Sequence, residues 1–220
     1  MDAGPSPNYF FSKDYQSGAL SFEIISNGKK LISNCGYHNE RNLKLNKLSK
    51  STAAQNTLVI DDNSSCKFKN VHDSFLVNKG LRITKKKMVF EKNYWKINVS
   101  HDGYQKKYDI IHERNIEFFP EQEIFVGYDM IQKKVNKNYK FDIRFHVEPN
   151  VKLMKTQDGK SILIELDDEG WKFTCDNYDI NIDNGLYFGN KNSYTDNQNI
   201  FVSGISNKQT ENIKWKIRKK

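Results

Sequence analysis

The sequence predicts an all-β fold, a two-layer antiparallel β-sandwich of about a dozen strands. Three observations carry this. Apolar and polar residues alternate with a period of two, turn signals separate the alternating runs, and no long segment holds an apolar stripe with a period of 3.6 residues. Phe141 to Val147 shows the alternation best, with four apolar side chains on one face and Asp142, Arg144 and His146 on the other. Trp171 to Cys175 and Ile213 to Ile217 repeat it.

Taken along the chain, strands are expected at Leu20 to Ile25, Lys30 to Asn34, Asn56 to Ile60, Leu81 to Phe90, Tyr94 to Ser100, Tyr108 to Phe118 and Ile124 to Ile131. After Phe141 to Val147 they continue at Val151 to Lys155, Ser161 to Leu166, Trp171 to Cys175, Tyr178 to Ile182, Ile200 to Ser203 and Ile213 to Ile217. Turn signals lie at Ser26-Asn27-Gly28, Asp102-Gly103, Gln157-Asp158-Gly159, Asp168-Glu169-Gly170 and Asp183-Asn184-Gly185. The polar stretch from Tyr37 to Ser51 is too long for a hairpin turn and reads as an excursion loop. No linker divides the chain, so residues 1–220 are expected to form one domain.

Composition narrows the function. The 220 residues are 37% hydrophobic and 13% aromatic, enough for a core although 28% are charged. No apolar run approaches the roughly 18 residues of a membrane-spanning helix, and the N-terminus lacks a basic region followed by an apolar one. Cys35, Cys66 and Cys175 form no CxxC pair, which disfavours a zinc ribbon or a disulfide scaffold and leaves buried free thiols. The net charge of +8 invites a polyanion partner. Clustering is weak, however: the densest basic runs are Lys85-Lys86-Lys87 and Arg218-Lys219-Lys220, and lysines far outnumber the five arginines. A nucleic-acid role is disfavoured, because arginine clusters, interleaved stacking aromatics and a docking motif are all missing.

Common catalytic signatures are also missing: there is no G-x-S-x-G, no H-E-x-x-H, no Gly-rich phosphate loop and no histidine cluster at metal spacing. His146 shares the polar face of its strand with Arg144 and is expected in solvent. His112 and Arg114 share parity with Tyr108, Ile110 and Ile116, so His112 is either a buried histidine satisfied by a carbonyl or a site group. In Ser100-His101-Asp102-Gly103-Tyr104 the Asp-Gly pair makes a bend, and His101 either caps it or lines a cleft.

Six segments in order are similar to the C-terminal domain of heparinase II/III-like proteins. They are Ala19 to Glu23, Leu31 to Gly36, Ser51 to Asp61, Ser100 to Tyr104 with His112-Glu113-Arg114, Arg144 to Pro149, and the Ile213-Lys214-Trp215 ending. The resemblance covers nearly the whole chain. It implies a polysaccharide lyase with an N-terminal α/α toroid and a C-terminal β-sandwich, acting by β-elimination beside a uronate with tyrosine and histidine as base and acid. On this resemblance the chain holds only the sandwich, and Asp2-Ala3-Gly4-Pro5 corresponds to the turn that leads into it. The resemblance also implies a periplasmic or cell-envelope location, an acidic polysaccharide as partner and the missing toroid as a second one.

The resemblance further implies zinc, held by a histidine, an aspartate and the histidine of an Ala-Ala-His motif. Those positions are Gln16, Asn34 and Gln55 here, all amides, so no metal cofactor is expected. A metal-free cluster of hydrogen-bonded amides is expected in its place. The triple change Gln16→His, Asn34→Asp and Gln55→His should create zinc affinity. The family's active-site histidine falls on Asp14, and no histidine lies between Asn8 and Gly28. The remaining candidates are His101, Tyr104, His112 and Arg114, expected as a polar group facing the partner domain or the glycan. Two functions follow: the sandwich part of a lyase, lacking the catalytic groups by itself, or a non-catalytic acidic-glycan-binding or scaffold module.

Overall fold

The computed structural model describes residues 1–38, 43–189 and 193–220. In chain order the elements are β1 (Ile24–Ser26), β2 (Lys29–Ile32), α1 (Leu43–Ser49), β3 (Leu58–Ile60), β4 (Lys67–Val71), β5 (Ser74–Lys79), β6 (Ile83–Glu91) and β7 (Tyr94–His101). They continue with α2 (Gln105–Tyr108), β8 (Ile110–Phe119), β9 (Ile124–Lys133), β10 (Tyr139–His146), β11 (Lys152–Lys155) and β12 (Ile162–Leu166), and end with β13 (Glu169–Cys175), β14 (Ile180–Tyr187), β15 (Thr195–Ser206) and β16 (Thr210–Lys219).

Two antiparallel sheets make the sandwich. The larger has eight strands in the order β11-β12-β13-β16-β9-β8-β7-β6, the smaller four in the order β14-β15-β10-β3. Hairpins β1-β2 and β4-β5 stand apart from both. Alternation sets the core as expected: Phe141, Ile143 and Phe145 of β10 are buried, and they meet Phe173 of β13 and Ile213, Trp215 and Ile217 of β16. At the centre Phe22 stacks on Trp215 at 5.3 Å, while Phe145 meets Trp215 edge-on at 5.0 Å. Each such side chain removed from water contributes roughly 1.5–3 kcal/mol. The indole fits because β9 carries Gly127 beneath it, where a Cβ would lie 2.0 Å from the ring.

Edge strand β6 is exposed along nearly its whole length, and its lysines 85–87 disfavour pairing with another chain's edge.

Several expectations are corrected. Asp183-Asn184-Gly185 is not a turn but lies inside β14, because β15 is long enough to pair with every residue from Ile180 to Tyr187. The bend expected at Asp168-Glu169-Gly170 sits one residue earlier, since Leu166 pairs with Glu169. The stretch read as a loop from Tyr37 contains α1, while residues 39–42 lie outside the described ones. The β4-β5 hairpin was not expected: its turn is His72-Asp73, both in the left-handed region at φ 46° and 61°, without a glycine to announce it. His146 is buried rather than solvent-facing, because the 3-10 turn Thr52–Ala54 covers that face of β10 and the Ala53 carbonyl accepts from His146 Nε2 at 2.9 Å. The free thiols of Cys35 and Cys66 are buried, and that of Cys175 is half-buried.

Candidate functional site

His101, His112 and Arg114 do come together, on the inner face of adjacent strands, but as part of the core. All three are buried, as is Asp129 of β9, which lies opposite Arg114 in the register. Arg114 grips Asp129 with two bonds, Nε to Oδ1 at 2.7 Å and Nη2 to Oδ2 at 2.9 Å. Its remaining nitrogen donates to the carbonyls of Leu20, at 2.9 Å, and Asn56. Trp215 Nε1 donates to Asp129 Oδ2 at 2.9 Å. Burial alone would raise the carboxyl of Asp129, but the guanidinium and the bond from His112 hold it well below the ordinary range.

The histidines form a directed line. The Gly103 N–H donates to His101 Nδ1 at 3.0 Å, so the proton of that ring is on Nε2 and points at His112 Nδ1, 3.2 Å away. His112 then carries its proton on Nε2 and donates to Asp129 Oδ1 at 2.7 Å. Both rings are neutral: burial lowers each, the Arg114 guanidinium adds to this, and for His112 the carboxylate offsets it only in part. The two readings of His101 resolve to the cap, and His112 is satisfied by a carboxylate rather than a carbonyl. Tyr104 turns its hydroxyl inward, donating to the carbonyls of Leu58 at 2.8 Å and Asn63 at 3.2 Å. The expected polar group facing a glycan is therefore corrected. All four side chains are at most 1% exposed, and they lock the sandwich together instead.

At the position where the family resemblance implies zinc, Gln55 Nε2 donates to Gln16 Oε1 at 3.0 Å and to the Ser49 carbonyl at 3.1 Å. Asn34 Oδ1 accepts from the Asn56 N–H at 2.8 Å. Three neutral amides already engaged in this way do not fit zinc, which takes thiolate, imidazole and carboxylate. No group of three His, Cys, Asp or Glu placed to hold a metal occurs among the described residues. Nearby, Cys35 and His146 pair at 3.2 Å. Burial pushes the thiol up to about 12 and the imidazole down to about 4, so this is a neutral contact and not an activated thiolate.

Two features were not legible in the sequence. The first is Lys50, a buried cation whose ammonium donates to the carbonyls of Lys13, Tyr15 and Phe75 and lies 5.1 Å from the centre of the Tyr37 ring. Burial lowers it to about 8, against the pull of Asp14. It ties the segment bearing Asp14, itself exposed, to β5. The second is a cleft of about 920 Å³ between residues 6–9, the end of β5 and the turn into α2. Lys67, Lys79, Arg82, Lys106 and Lys107 line it, with Asp102 as the one carboxylate among the described lining residues. Asp102 is itself engaged by Arg82 at 3.1 Å. These cations come from separated segments, so no basic run announces them, and the runs that stand out in the sequence lie elsewhere. Gly103 and Tyr104 form part of the wall, which puts the buried histidines behind the cleft and out of its reach.

Comparison with known proteins accounts for this architecture. The sandwich superposes on the heparan sulfate lyase HepC from Pedobacter heparinus with a TM-score of 0.74 at 14% identity, covering 93% of this chain and 30% of that one. A heparinase III gives 0.67 at 15% identity with the same coverage. At these identities the superpositions show a shared fold and no more. FtsZ-localized protein C of Caulobacter vibrioides (strain NA1000 / CB15N) is 23% identical over 232 residues, 99% of this chain but 40% of that protein. The chain thus spans less than half the length of the relatives it matches. The profile of the family described as heparinase II/III-like, C-terminal, matches residues 1–216, and the chain belongs to that family.

Proposed function

We propose that this domain binds an acidic polysaccharide in the basic cleft, as the sandwich part of a heparinase II/III-like protein, and does not itself supply the acid or base of a lyase reaction. The observation that carries the reading is the set of five cations around one engaged carboxylate in a cleft of about 920 Å³. Such a surface attracts a polyanion and holds it by releasing counterions. In β-elimination beside a uronate, neutralising the carboxylate makes the C5 proton removable, and lysines at the cleft wall suit that part. The proton transfers belong to groups elsewhere in the protein, because His101 and His112 are sealed in the core and Asp14 stands where the resemblance implies a histidine. A periplasmic or envelope location, where such polymers occur, goes with this reading.

The test is binding of heparin, alginate and polygalacturonate to the purified chain at low salt, beside the K79A/K106A/K107A variant. Binding of at least one polymer, weakened by tenfold or more in the variant and by added salt, is expected; equal binding by both proteins would overturn the cleft assignment. Formation of unsaturated uronate by this chain alone would overturn the division of labour.

A second reading, a non-catalytic scaffold module, is favoured by one observation: Phe10 and Phe11, on the turn that flanks the cleft, are each 81% exposed. A pair of aromatic rings held in water suits docking to another protein surface.

A further inference from the structure

The outer face of the large sheet carries a second polar site, lined by residues other than those of the basic cleft. Along β7, β8 and β9 the side chains that point away from the core include Asn98, Glu113, Asn115, Glu117 and Tyr128. They line a groove of about 530 Å³ together with Lys85, Lys87 and Lys96. The floor is built from one unit used twice. Lys85 Nζ donates to Glu113 Oε1 at 2.6 Å and Asn98 Nδ2 donates to the same oxygen at 2.8 Å. Lys96 Nζ donates to Glu117 Oε1 at 3.0 Å, and Asn115 Nδ2 donates to it at 3.1 Å. An ionised carboxylate only accepts, so it must face the NH2 end of each amide. Both amides are thereby fixed with the oxygen turned the other way.

Those two oxygens have no partner. Asn98 and Asn115 are 8% and 7% exposed, and each Oδ1 is buried without a hydrogen bond. A buried acceptor left unpaired costs about 1–3 kcal/mol, and here two stand on neighbouring strands at opposed positions, where Asn98 pairs with Asn115 in the register. The next position across the sheet is Tyr128, half-buried, with Lys214 Nζ over its ring at 5.8 Å from the centre. Lys87 stands opposite Asn98 on the other side, exposed at the rim. The row Lys87, Asn98, Asn115, Tyr128 therefore crosses four strands, with neighbours about 4.8 Å apart, close to the advance of one sugar ring along a glycan.

The chemistry of the row selects its occupant. Unpaired acceptors call for a ligand that donates, and a tyrosine ring accepts the apolar face of a pyranose. With each glutamate neutralised by its own lysine, Lys87 is left to meet an acidic substituent. We propose that this groove is a saccharide-binding site for a short stretch of an acidic glycan, whose hydroxyls donate to Asn98 and Asn115, whose ring lies on Tyr128 and whose carboxylate or sulfate meets Lys87. The choice of an acidic glycan rests on the function proposed above; the groove and its hydroxyl-directed floor do not.

The experiment follows backbone amide NMR shifts of the full chain during titration with heparin-derived, galacturonate and mannuronate hexasaccharides, with cellohexaose as the neutral probe. Shifts at residues 98, 115 and 128 are expected with at least one acidic probe, with tenfold or greater weakening in N98L/N115L and about fivefold in Y128A, a milder change at a half-buried position that keeps the floor intact. K87E should remove the preference for acidic over neutral probes. Shifts confined to the surroundings of Lys106 and Lys107, or unchanged groove affinity in both N98L/N115L and Y128A, would overturn this site while leaving the cleft reading in place. Shifts at the groove that persist in K79A/K106A/K107A, with none at the cleft, would support the groove and sink the cleft.

Discussion

Strands β7, β8 and β9 present two polar constellations, one on each face, built from alternate residues of the same segments. On the inner face Arg114, Asp129, His112 and His101 use each other fully, with the guanidinium bonded to a carboxylate and two carbonyls and both imidazoles placed as donor and acceptor in turn. On the outer face Lys85, Glu113, Asn98 and their repeat leave one amide oxygen spare in each unit. A saturated buried network gives shape to the fold, whereas an unsaturated one on a groove floor waits for a ligand. Burial and charge do not separate the two, because the amides are nearly as covered as the histidines. The count of unmet hydrogen bonds does.

The contrast can be broken most severely from the inside. Asp129→Asn leaves the Arg114 guanidinium buried without its counter-charge and turns one of the two acceptor oxygens into a donor, so that either His112 or Trp215 loses its partner; a loss of about 3–5 kcal/mol is expected. Urea unfolding measures it, and a loss below 1 kcal/mol would mean that the interior network is dispensable. Acid should act on the same network and, separately, on His146 of β10. His101, His112 and His146 are held neutral in the fold, whereas in the unfolded chain each takes a proton below pH of about 6.5. The contribution of these three rings is therefore expected to be level above pH ~7 and to fall as the pH drops from ~6.5 toward the folded value, about 4 for His146. Asp129, held low, adds its own loss as the pH falls into the ordinary carboxylate range, where the unfolded chain begins to take up its proton, and on below it. Calorimetry from pH 8 to 4 checks this, and an unchanged melting temperature between pH 7 and 5 would show that these rings are not neutral in the fold.

Gly127→Ala is a smaller perturbation, expected to cost about 1–3 kcal/mol by pushing the Trp215 ring off its seat. Near-ultraviolet circular dichroism of the indole should change with it. Lys85→Met on the outer face is the mildest. Its ion pair with Glu113 is partly in water, so less than about 1 kcal/mol is expected from urea unfolding. A loss as large as that of Asp129→Asn would erase the distinction between the faces.

Alternation made the sheets legible and grouped His112 correctly with Arg114. It could not say what lies on each face. His146 shows why: its strand alternates, but the side facing away from the sandwich core is roofed by residues 52–54, distant in sequence. Asp183-Asn184-Gly185 failed for a related reason, because a local bend signal yields where a long partner strand offers a bond to every residue. The amides at 16, 34 and 55 were readable by motif, and two of them touch. The groove was hidden because its alternation of Lys, Asn, Glu and Asn resembles any solvated strand, and only the orientation of each amide reveals the unmet acceptors.

Gly103 joins the interior to the surface. Its N–H starts the line of histidines, and it stands in the wall of the basic cleft, where a Cβ would run into the Ser65 carbonyl at 2.8 Å. The line reads in one direction only: turning either imidazole over would set donor against donor or acceptor against acceptor. The Gly103 N–H in the cleft wall is thus satisfied from inside by a line that ends on Asp129, and turning the His101 ring would break the bonds at both of its nitrogens.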